Sequence, residues 1–537
     1  MATRGRLRKL HQFHGGLRLA EHKAESTAAP LLPARVPSHL ILPVQQHIGQ
    51  PAEVLVRPGD RVLKGQPIAR PQGYVSAPVH ASSSGTVVEV GRRPVPHPSG
   101  LNDLCVVIET DGREQWRWRE PPTEDYTDLD PAQLRERIRE AGIVGLGGAG
   151  FPSFIKMNPG PRHRIDLLVL NGAECEPYIS CDDMLMRDRP GEIVAGLQIL
   201  RHAVQARECV IAVEDNKPEA LAALEAAVRE MNDPAVQVVA VPTRYPTGGE
   251  KQLIKVLTGR EVPSQGLPSD IGVLCHNVGT AAAVQRAVTD SEPLVSRVVT
   301  VTGAGVAEPR NLEVLLGTPI ADLVEQCGGY TPAAHRLLMG GPMMGFALPS
   351  DELPVVKTSN CILVASREEM PPPEPPMACI RCSECVQVCP ANLLPQQLYW
   401  YAHAKDFDKI QDYHLFDCIE CGCCAFVCPS HIPLVQYYRF AKTEIWTQER
   451  ERRHADLARQ RHEFRLERLE REKREREARL REKRKAVKET ARDQGAKKAA
   501  VEAALERAKA KKAARSGEAR EPAAAEPGDA ARTDHDD

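Results

Sequence analysis

The sequence is poor in aromatic residues and contains no long apolar run. Aromatic side chains make up 4% of its 537 residues, and no apolar stretch reaches the roughly eighteen residues that a transmembrane helix needs. We therefore expect no bilayer-spanning segment, so any membrane attachment should be peripheral or through a partner. The formal net charge is also small, −2 at pH 7, and nothing in this balance indicates a nucleic-acid partner.

Basic residues open the chain, at Arg4, Arg6, Arg8 and Lys9. Charged residues and histidines follow where a secretory signal peptide would have its apolar stretch. Sixteen cysteines are present, and most lie in one short region, which fits a reducing compartment where thiolates bind metal. We expect the chain to remain in the cytoplasm. Its length should divide into three or four domains.

Eight cysteines form two copies of the motif C-x-x-C-x-x-C-x-x-x-C-P, within residues 379–428. Thiolates at this spacing bind cubane iron–sulfur clusters, with the fourth cysteine of each run ligating the other cluster. Two copies predict two [4Fe–4S] clusters. The ligand sets that follow are Cys379, Cys382, Cys385 and Cys428 for one cluster, and Cys418, Cys421, Cys424 and Cys389 for the other.

Two other interpretations of the cysteines are a pair of zinc knuckles and a disulfide scaffold. Zinc sites usually join two CxxC pairs through a longer spacer and include histidine, so the repeated motif with its prolines favours iron–sulfur clusters. Cys423 falls outside the spacing, and we interpret it as a packed bystander.

Residues 31–115 alternate apolar and polar residues between Gly and Pro turns, which predicts a small β-barrel or sandwich. The string V-x-P-G-D-x-V-x-x-G-Q-x-I at 56–68 resembles the barrel-sandwich hybrid domains of lipoyl and biotinyl carriers. Those carriers modify a lysine at a hairpin tip, and the matching turn at 79–82 has none. We expect a scaffold domain without a prosthetic group.

A helix and a glycine-rich loop open the next segment. Asp130 and Pro131 suit the N-cap and first turn of a helix that should reach Ala141. The string G-L-G-G-A-G-F-P follows at 145–152. It satisfies G-x-G-x-x-G, but it follows a helix and ends in proline, so it is not the ordinary dinucleotide fingerprint, and it lacks the ending of a P-loop. A phosphate cradle and a plain tight turn remain as interpretations.

The segment after this loop alternates strands and helices, which predicts a parallel sheet with helices on its faces. The predicted elements are strand 165–170, helix 192–206, strand 209–213, helix 218–231 and strand 236–241. Polar side chains follow the first strand at 171–178. Positions just past the carboxyl ends of parallel strands are where open α/β sheets bind ligands.

Four motifs in this region occur in the order found in the flavin-bearing, NADH-oxidising subunit of respiratory complex I. They are Gly-x-Gly-Gly-Ala-Gly-Phe-Pro from 145, Asn-x-x-Glu-x-Glu-Pro from 171, Tyr followed by Gly-x-Glu from 245, and Asn-Val-x-Thr from 277. The chain more closely resembles the RnfC family of the Rnf (Rsx) ion-translocating electron-transport complexes, which adds a barrel-sandwich domain and a two-cluster ferredoxin domain. The resemblance covers about residues 10–445.

The resemblance implies two groups of binding residues. FMN would be held by Gly145, Gly147, Gly148, Gly150, Asn171, Gly249, Glu250, Asn277 and Thr280. NADH would stack near Phe151, with Lys156, Glu174, Glu176 and Tyr245 around it. The chain departs from the complex I pattern at two positions: Ala173 stands where an Asp contacts the flavin side, and Gly279 replaces a Glu.

The resulting fold class is multidomain α/β and α+β. The predicted order is an N-terminal extension (1–30), a barrel-sandwich hybrid domain (31–115), an FMN/NADH-binding α/β domain (131–295), a β-grasp domain of the soluble-ligand-binding type (297–350), a linker (351–377), a ferredoxin-type domain with two [4Fe–4S] clusters (378–445), a charged helix (446–516) and a disordered tail (517–537).

The resemblance implies a peripheral subunit at the cytoplasmic face of the bacterial inner membrane. It would exchange electrons with NAD(H) through FMN and pass them singly, via two clusters, to other subunits of the Rnf complex, including an iron–sulfur subunit. The residues require no general acid or base, so we predict no catalytic side chain. An alternative is a non-catalytic iron–sulfur subunit without flavin, which Ala173 and Gly279 favour. A third, the flavin subunit of a soluble hydrogenase or formate dehydrogenase, is disfavoured by the barrel domain.

Overall fold

The computed structural model of the chain describes residues 8–119, 125–160 and 163–515. The chain forms two compact units, Met1–Ile445 and Trp446–Asp537. Part of the basic N-terminus, including Arg4 and Arg6, and the predicted disordered tail at 517–537 lie outside the described residues.

The first domain consists of two small antiparallel sheets. One has the order β2-β8-β7-β4 and the other β3-β5-β6. Leu40, Leu42, Val106 and Ile108 are fully shielded and form part of the core. The elements are α1 (Ala24–Thr27), β1 (Leu32–Pro33), β2 (His39–Pro43), β3 (Glu53–Val54), β4 (Arg61–Val62), β5 (Pro67–Arg70), β6 (Val79–His80), β7 (Gly85–Pro94) and β8 (Asn102–Thr110).

The second domain is a four-stranded parallel sheet flanked by helices, in the order β11-β10-β9-β12. The chain reverses direction across the sheet between β9 and β12, the topological switch point where such sheets bind ligands. The elements are α2 (Pro131–Glu140), α3 (Ser153–Lys156), β9 (Leu167–Gly172), α4 (Cys181–Asp188), α5 (Pro190–Val204), β10 (Glu208–Glu214), α6 (Pro218–Met231), β11 (Val236–Val241), α7 (Glu250–Thr258), β12 (Val273–Asn277) and α8 (Val278–Thr289).

Local sequence explains where these elements begin. Asp130 forms a capping box with Gln133 at the start of α2, and Pro131 occupies the first turn. Asn277 caps α8, because its Oδ1 accepts hydrogen bonds from the amides of Gly279 and Thr280. The predictions of α2, α6 and β11 from helix caps and apolar alternation are confirmed.

The third domain is a six-stranded sheet with the order β1-β14-β13-β17-β15-β16. Its further elements are β13 (Ser296–Thr302), β14 (Arg310–Leu315), α9 (Ile320–Gln326), β15 (Arg336–Met339), β16 (Phe346–Ala347) and β17 (Cys361–Ala365).

Two strands of this sheet come from segments that were predicted to lie outside it. The segment 351–377 is not only a linker, because it contains β17, an entirely buried strand between β13 and β15. Its run Cys-Ile-Leu-Val-Ala is typical of a fully buried strand. β1, which falls within the predicted barrel domain, instead pairs with β14, with Leu32 opposite Leu312.

The cysteine-rich domain is small and helical. Leu398, Ile410, Leu415 and Tyr438 form its shielded core. Its elements are α10 (Glu384–Gln387), α11 (Pro395–Ala404), α12 (Phe407–Asp412), α13 (Cys423–Phe426) and α14 (Leu434–Arg515). The predicted charged helix therefore begins earlier than expected, because its first turns bury Leu434, Val435 and Tyr438 in this core.

In the second unit, the described part of α14 exposes its side chains to solvent. Within the described ranges, no helix combines the length and apolar character that a membrane crossing requires.

Candidate electron-transfer site

The eight motif cysteines gather into two sets that match the predicted crossover. Cys379, Cys382, Cys385 and Cys428 line a cavity of about 490 Å³; we call them the outer set. Cys389, Cys418, Cys421 and Cys424, with Cys423, line a much smaller cavity of about 20 Å³; these four motif cysteines are the inner set. The fourth cysteine of each run therefore lies with the first three of the other, as the motif requires for two cubane clusters.

The two sets differ in exposure. Cys382 of the outer set is exposed, whereas Cys389, Cys421 and Cys424 of the inner set are buried. The cysteines form no disulfide within the described residues. Burial raises the pKa of the Cys418 thiol to about 12, so a metal cluster would have to displace the proton of this thiol as it binds. The residue types and grouping fit two [4Fe–4S] clusters.

The glycine loop presents backbone donors to open space. Gly147, Gly148 and Ala149 are exposed, and among the described residues none accepts a hydrogen bond from their amides. Gly148 has φ of +105°, and a Cβ there would meet no atom within 4 Å. Successive free amides of this kind form an anion-binding concavity, so the loop fits a phosphate or another anionic part of a cofactor.

Three hydrogen bonds from other segments fix the ends of the glycine loop. The amide of Leu146 donates to Thr280 Oγ1 at 3.0 Å, and the buried Arg297 guanidinium donates to the Leu146 carbonyl at 3.1 Å. In the barrel domain, the Ile48 amide donates to the Gly150 carbonyl at 3.2 Å. Rigid ends leave the exposed amides preorganised, which reduces the ordering cost of binding a ligand.

Two asparagines stand at the switch point of the parallel sheet. Asn277 on β12 lies in register with Asn171 on β9. Asn277 Nδ2 donates to Asp182 Oδ2 at 2.6 Å, and Asn171 Nδ2 donates to the Gly248 carbonyl at 2.8 Å. The two neighbouring strand ends therefore bring the 171–177 loop, the start of α8 and the turn before α7 to one edge.

α7 begins at this edge without a side-chain cap. Its N-cap is Gly249, so the first amides of the helix and the positive end of its dipole face the site. Glu250, in the first turn, forms an ion pair with Lys156 of α3. Both side chains are partly exposed, so they remain accessible to a ligand.

No sequence motif points to Asp182, which lies beside the predicted FMN residue Asn277. Burial and the neighbouring Glu174 carboxylate raise the pKa of Asp182 to about 7. Its Oδ1 would lie 3.6 Å from a Cβ at Gly279, so this carboxyl occupies the space beside Gly279, one of the two positions that depart from the complex I pattern. The start of α4 therefore supplies a carboxyl group beside Gly279. No local motif could reveal this contact.

Three residues predicted around NADH are engaged within the protein. Glu174 accepts from the amides of Asp182 and Asp183, at 2.7 and 3.2 Å. Glu176 accepts from the amides of Met343 and Met344, at 2.7 and 3.0 Å, and burial raises its pKa. Phe151 and Lys156, the other two predicted neighbours, are partly exposed.

Tyr245 is the third engaged residue. It is only 3% exposed, and its hydroxyl donates to the Cys421 carbonyl at 2.7 Å. Tyr245, Cys175, Cys421 and Cys423 share one apolar cluster. The phenol therefore joins the α/β domain to the loop that carries a cysteine of the inner set.

A chain of neighbouring residues links the glycine loop to the inner set. A Cβ at Gly147 would lie 3.4 Å from Asn277 Cβ, and the Gly248 amide donates to Cys175 Sγ at 3.2 Å. With the contacts above, the continuous order is Gly147, Asn277, Asn171, Gly248, Cys175, Tyr245 and Cys421.

Four families of known domains match the chain. They are the RnfC barrel sandwich hybrid domain at residues 11–113, the Nuo51 FMN-binding domain at 138–286, the SLBB domain at 298–347 and the 4Fe-4S dicluster domain at 378–432. These matches confirm the expected multidomain fold class. They define a protein that combines a flavin-binding domain with an iron–sulfur domain.

Curated relatives are named as the C subunit of an ion-translocating oxidoreductase complex. The protein from Pseudomonas aeruginosa is 50% identical over 86% of this chain and 59% of its own length. That from Vibrio cholerae is 49% identical over 86% and 60%, and that from Yersinia pestis 47% identical over 86% and 74%. The chain belongs to this RnfC family of ion-translocating oxidoreductase complexes, as the sequence motifs predict.

The chain spans less than two thirds of the length of the first two of these relatives. Among solved structures, an NAD+-reducing [NiFe]-hydrogenase aligns at 20% identity with a TM-score of 0.43, covering 58% of this chain and 62% of that one.

Proposed function

We propose that the chain exchanges electrons with NAD(H) at a bound FMN and passes them singly through two [4Fe–4S] clusters to an iron–sulfur partner subunit. When bound, FMN couples the two-electron chemistry of a nicotinamide to the one-electron chemistry of clusters. The partner would belong to a membrane-bound, ion-translocating complex, with this chain attached peripherally at the cytoplasmic face of the bacterial inner membrane.

The residues of the α/β domain would bind and orient FMN. The free amides of Gly147, Gly148 and Ala149 suit an anionic group, and so do the uncapped amides at the start of α7. The Lys156–Glu250 pair lies beside α7 and would set the local charge. No side chain has to gain or lose a proton to a substrate carbon in this scheme, so the protein contributes geometry and electrostatics.

The difference in burial gives the two clusters an order. The inner set adjoins Tyr245 and is shielded, so it would receive electrons first. The outer set lies at the surface, where Cys382, Ile380 and Trp400 are exposed, so it would deliver electrons to the partner. A buried first carrier also keeps reduced groups away from solvent.

The continuous contact between the glycine loop and the inner set carries this proposal, through Asn277, Cys175 and Tyr245. The competing function, an iron–sulfur subunit without flavin, needs neither free loop amides nor an uncapped α7. Both features favour the flavin-dependent function.

The test is anaerobic purification of the full chain, with FMN, iron and sulfide quantified beside a spectrum recorded during NADH addition. We expect flavin, about eight irons per chain and bleaching of the flavin band by NADH. Clusters without flavin, and without a response to NADH, would establish the competing function.

A further inference from the structure

A segment that precedes the strands of the barrel domain contacts the cysteine-rich domain. We call residues 13–23 the N-terminal arm. Phe13, 8% exposed, is anchored in the core of the α/β sheet. Just beyond it the arm reaches the other domain: the Gly16 amide donates to the Val388 carbonyl at 2.9 Å, and His14 Nδ1 lies 3.0 Å from the carbonyl oxygen of Cys389, an inner-set cysteine.

The middle of the arm pairs with Tyr245. The Leu17 amide donates to the Tyr245 carbonyl at 2.7 Å, and the Tyr245 amide donates back at 2.8 Å. The Tyr245 hydroxyl also donates to the Cys421 carbonyl. The arm and Tyr245 together therefore hold the α/β domain against the loop that carries Cys421.

The far end of the arm holds the 174–179 loop, which carries Glu174 and Glu176, two of the residues predicted around NADH. Lys23 is 9% exposed, and its ammonium donates to the carbonyls of Glu174 and Glu176 at 2.8 and 3.0 Å and to that of Ile179. Glu174 and Tyr178 have positive φ, of 49° and 69°, a conformation that non-glycine residues keep only when their surroundings enforce it. One buried cation therefore stabilises a strained loop.

We propose that the N-terminal arm is a positioning element that fixes the separation between the 174–179 loop and the inner cysteine set. It thereby sets the rate at which electrons pass from flavin to the inner cluster. This inference rests on the proposed function and assigns the arm residues no contact with substrate.

Gly15 allows a selective test. It has φ of +66°, and a Cβ there would lie 2.5 Å from the carbonyl carbon and oxygen of Val388. Gly112 has φ of +68°, with nothing within 4 Å of a Cβ. Gly15→Ala and Gly112→Ala therefore share the cost of a left-handed alanine, but only the first forces the arm and the Val388 backbone apart.

The experiment mixes each anaerobic full-length variant rapidly with NADH and follows flavin bleaching and cluster reduction separately. In Gly15→Ala we expect cluster reduction to slow by about tenfold or more, since small misplacements of reacting groups have large rate effects. Flavin bleaching in this variant should keep the wild-type rate. In Gly112→Ala both flavin bleaching and cluster reduction should keep the wild-type rate. If Gly15→Ala loses flavin or iron, the variant His14→Ala, at an exposed position, provides the test instead. In His14→Ala we expect cluster reduction to slow about twofold or more.

Cluster reduction at the wild-type rate in a variant that keeps its flavin and iron would overturn the role of the arm alone. Absence of flavin or of any NADH response in the wild-type chain would instead overturn the proposed function. The two failures are therefore distinguishable in one set of measurements.

Discussion

The Tyr245 hydroxyl donates a 2.7 Å hydrogen bond to the carbonyl oxygen of Cys421. This contact joins the turn before α7, in the α/β domain, to the loop that carries an inner-set cysteine. Both residues are almost fully shielded, with exposures of 3% and 6%. The bond therefore operates in a low-dielectric environment, where an unpaired carbonyl would be costly.

Replacing Tyr245 with phenylalanine should weaken this junction. The Cys421 carbonyl would lose a buried donor, which costs about 1–2 kcal/mol. We expect a lower thermal midpoint and slower cluster reduction, with flavin content unchanged. The matched control is Tyr330→Phe, because Tyr330 is exposed and its hydroxyl bonds to Asp351 at the surface; its effect should stay within about 0.5 kcal/mol. Equal midpoints for the two variants would show that the junction bond contributes nothing.

Asp182 should make stability depend on pH. Its pKa is raised from 3.8 to about 7 in the folded chain, so ionisation is disfavoured there relative to the unfolded chain. The resulting penalty is absent below pH 3.8, grows as pH rises toward 7 and is constant above.

Asp182→Asn removes this penalty. Its thermal midpoint should exceed that of the wild type by a margin that widens from pH 4 to pH 7 and then levels off. The exposed Asp412→Asn, at the end of α12, serves as the control, and its effect on stability should stay within about 0.5 kcal/mol across this pH range, without the widening margin. A flat difference for Asp182→Asn as well would contradict the raised pKa.

Removing one cysteine from each set should reveal the order of the clusters. Cys382→Ala and Cys418→Ala should each lose about half of the iron. NADH should still reduce the inner cluster that remains in Cys382→Ala, but it should not reduce the outer cluster that remains in Cys418→Ala. Rapid-freeze EPR distinguishes these cases. Equal reduction of both remaining clusters would refute the order.

Cys423→Ala is the control for these substitutions. Cys423 is fully buried beside the inner set, but the motif does not include it. We expect the variant to retain its full iron content. If it lost iron as Cys418→Ala does, Cys423 would have to be reassigned as a ligand.

The exchange of the fourth cysteine between the two motifs predicts which cluster is lost when Cys389 is replaced. Cys389 follows Cys385 in sequence but lies in the inner set. The EPR spectrum of Cys389→Ala should therefore match that of Cys418→Ala. A match to Cys382→Ala would show that each motif ligates its own cluster.

Much of this architecture could be predicted because its signals are local. The cysteine spacing predicts the two sets, and the Asp130 capping box and Asn277 cap mark helix starts that the structure has at those positions. The arm could not be predicted, because Lys23 binds carbonyls 151 to 156 residues away and no periodicity marks it. The pairing of Leu32 with Leu312 could not be predicted for the same reason.

The predicted surroundings of NADH show a further limit. Motif order implies a role for Tyr245 and Glu176, but each side chain also bonds to the backbone of another domain: Tyr245 to the carbonyl of Cys421, and Glu176 to the amides of Met343 and Met344. A motif fixes the residue type, and the tertiary structure decides which group that residue meets.

We propose that a nucleotide-reducible flavin lies close enough to two iron–sulfur clusters to supply them with single electrons. The most direct measurement is an anaerobic titration of the full chain with NADH, recording absorbance and EPR together. We expect one NADH per chain to leave both clusters reduced, one electron each. Clusters that respond to dithionite but stay oxidised in excess NADH would contradict the account.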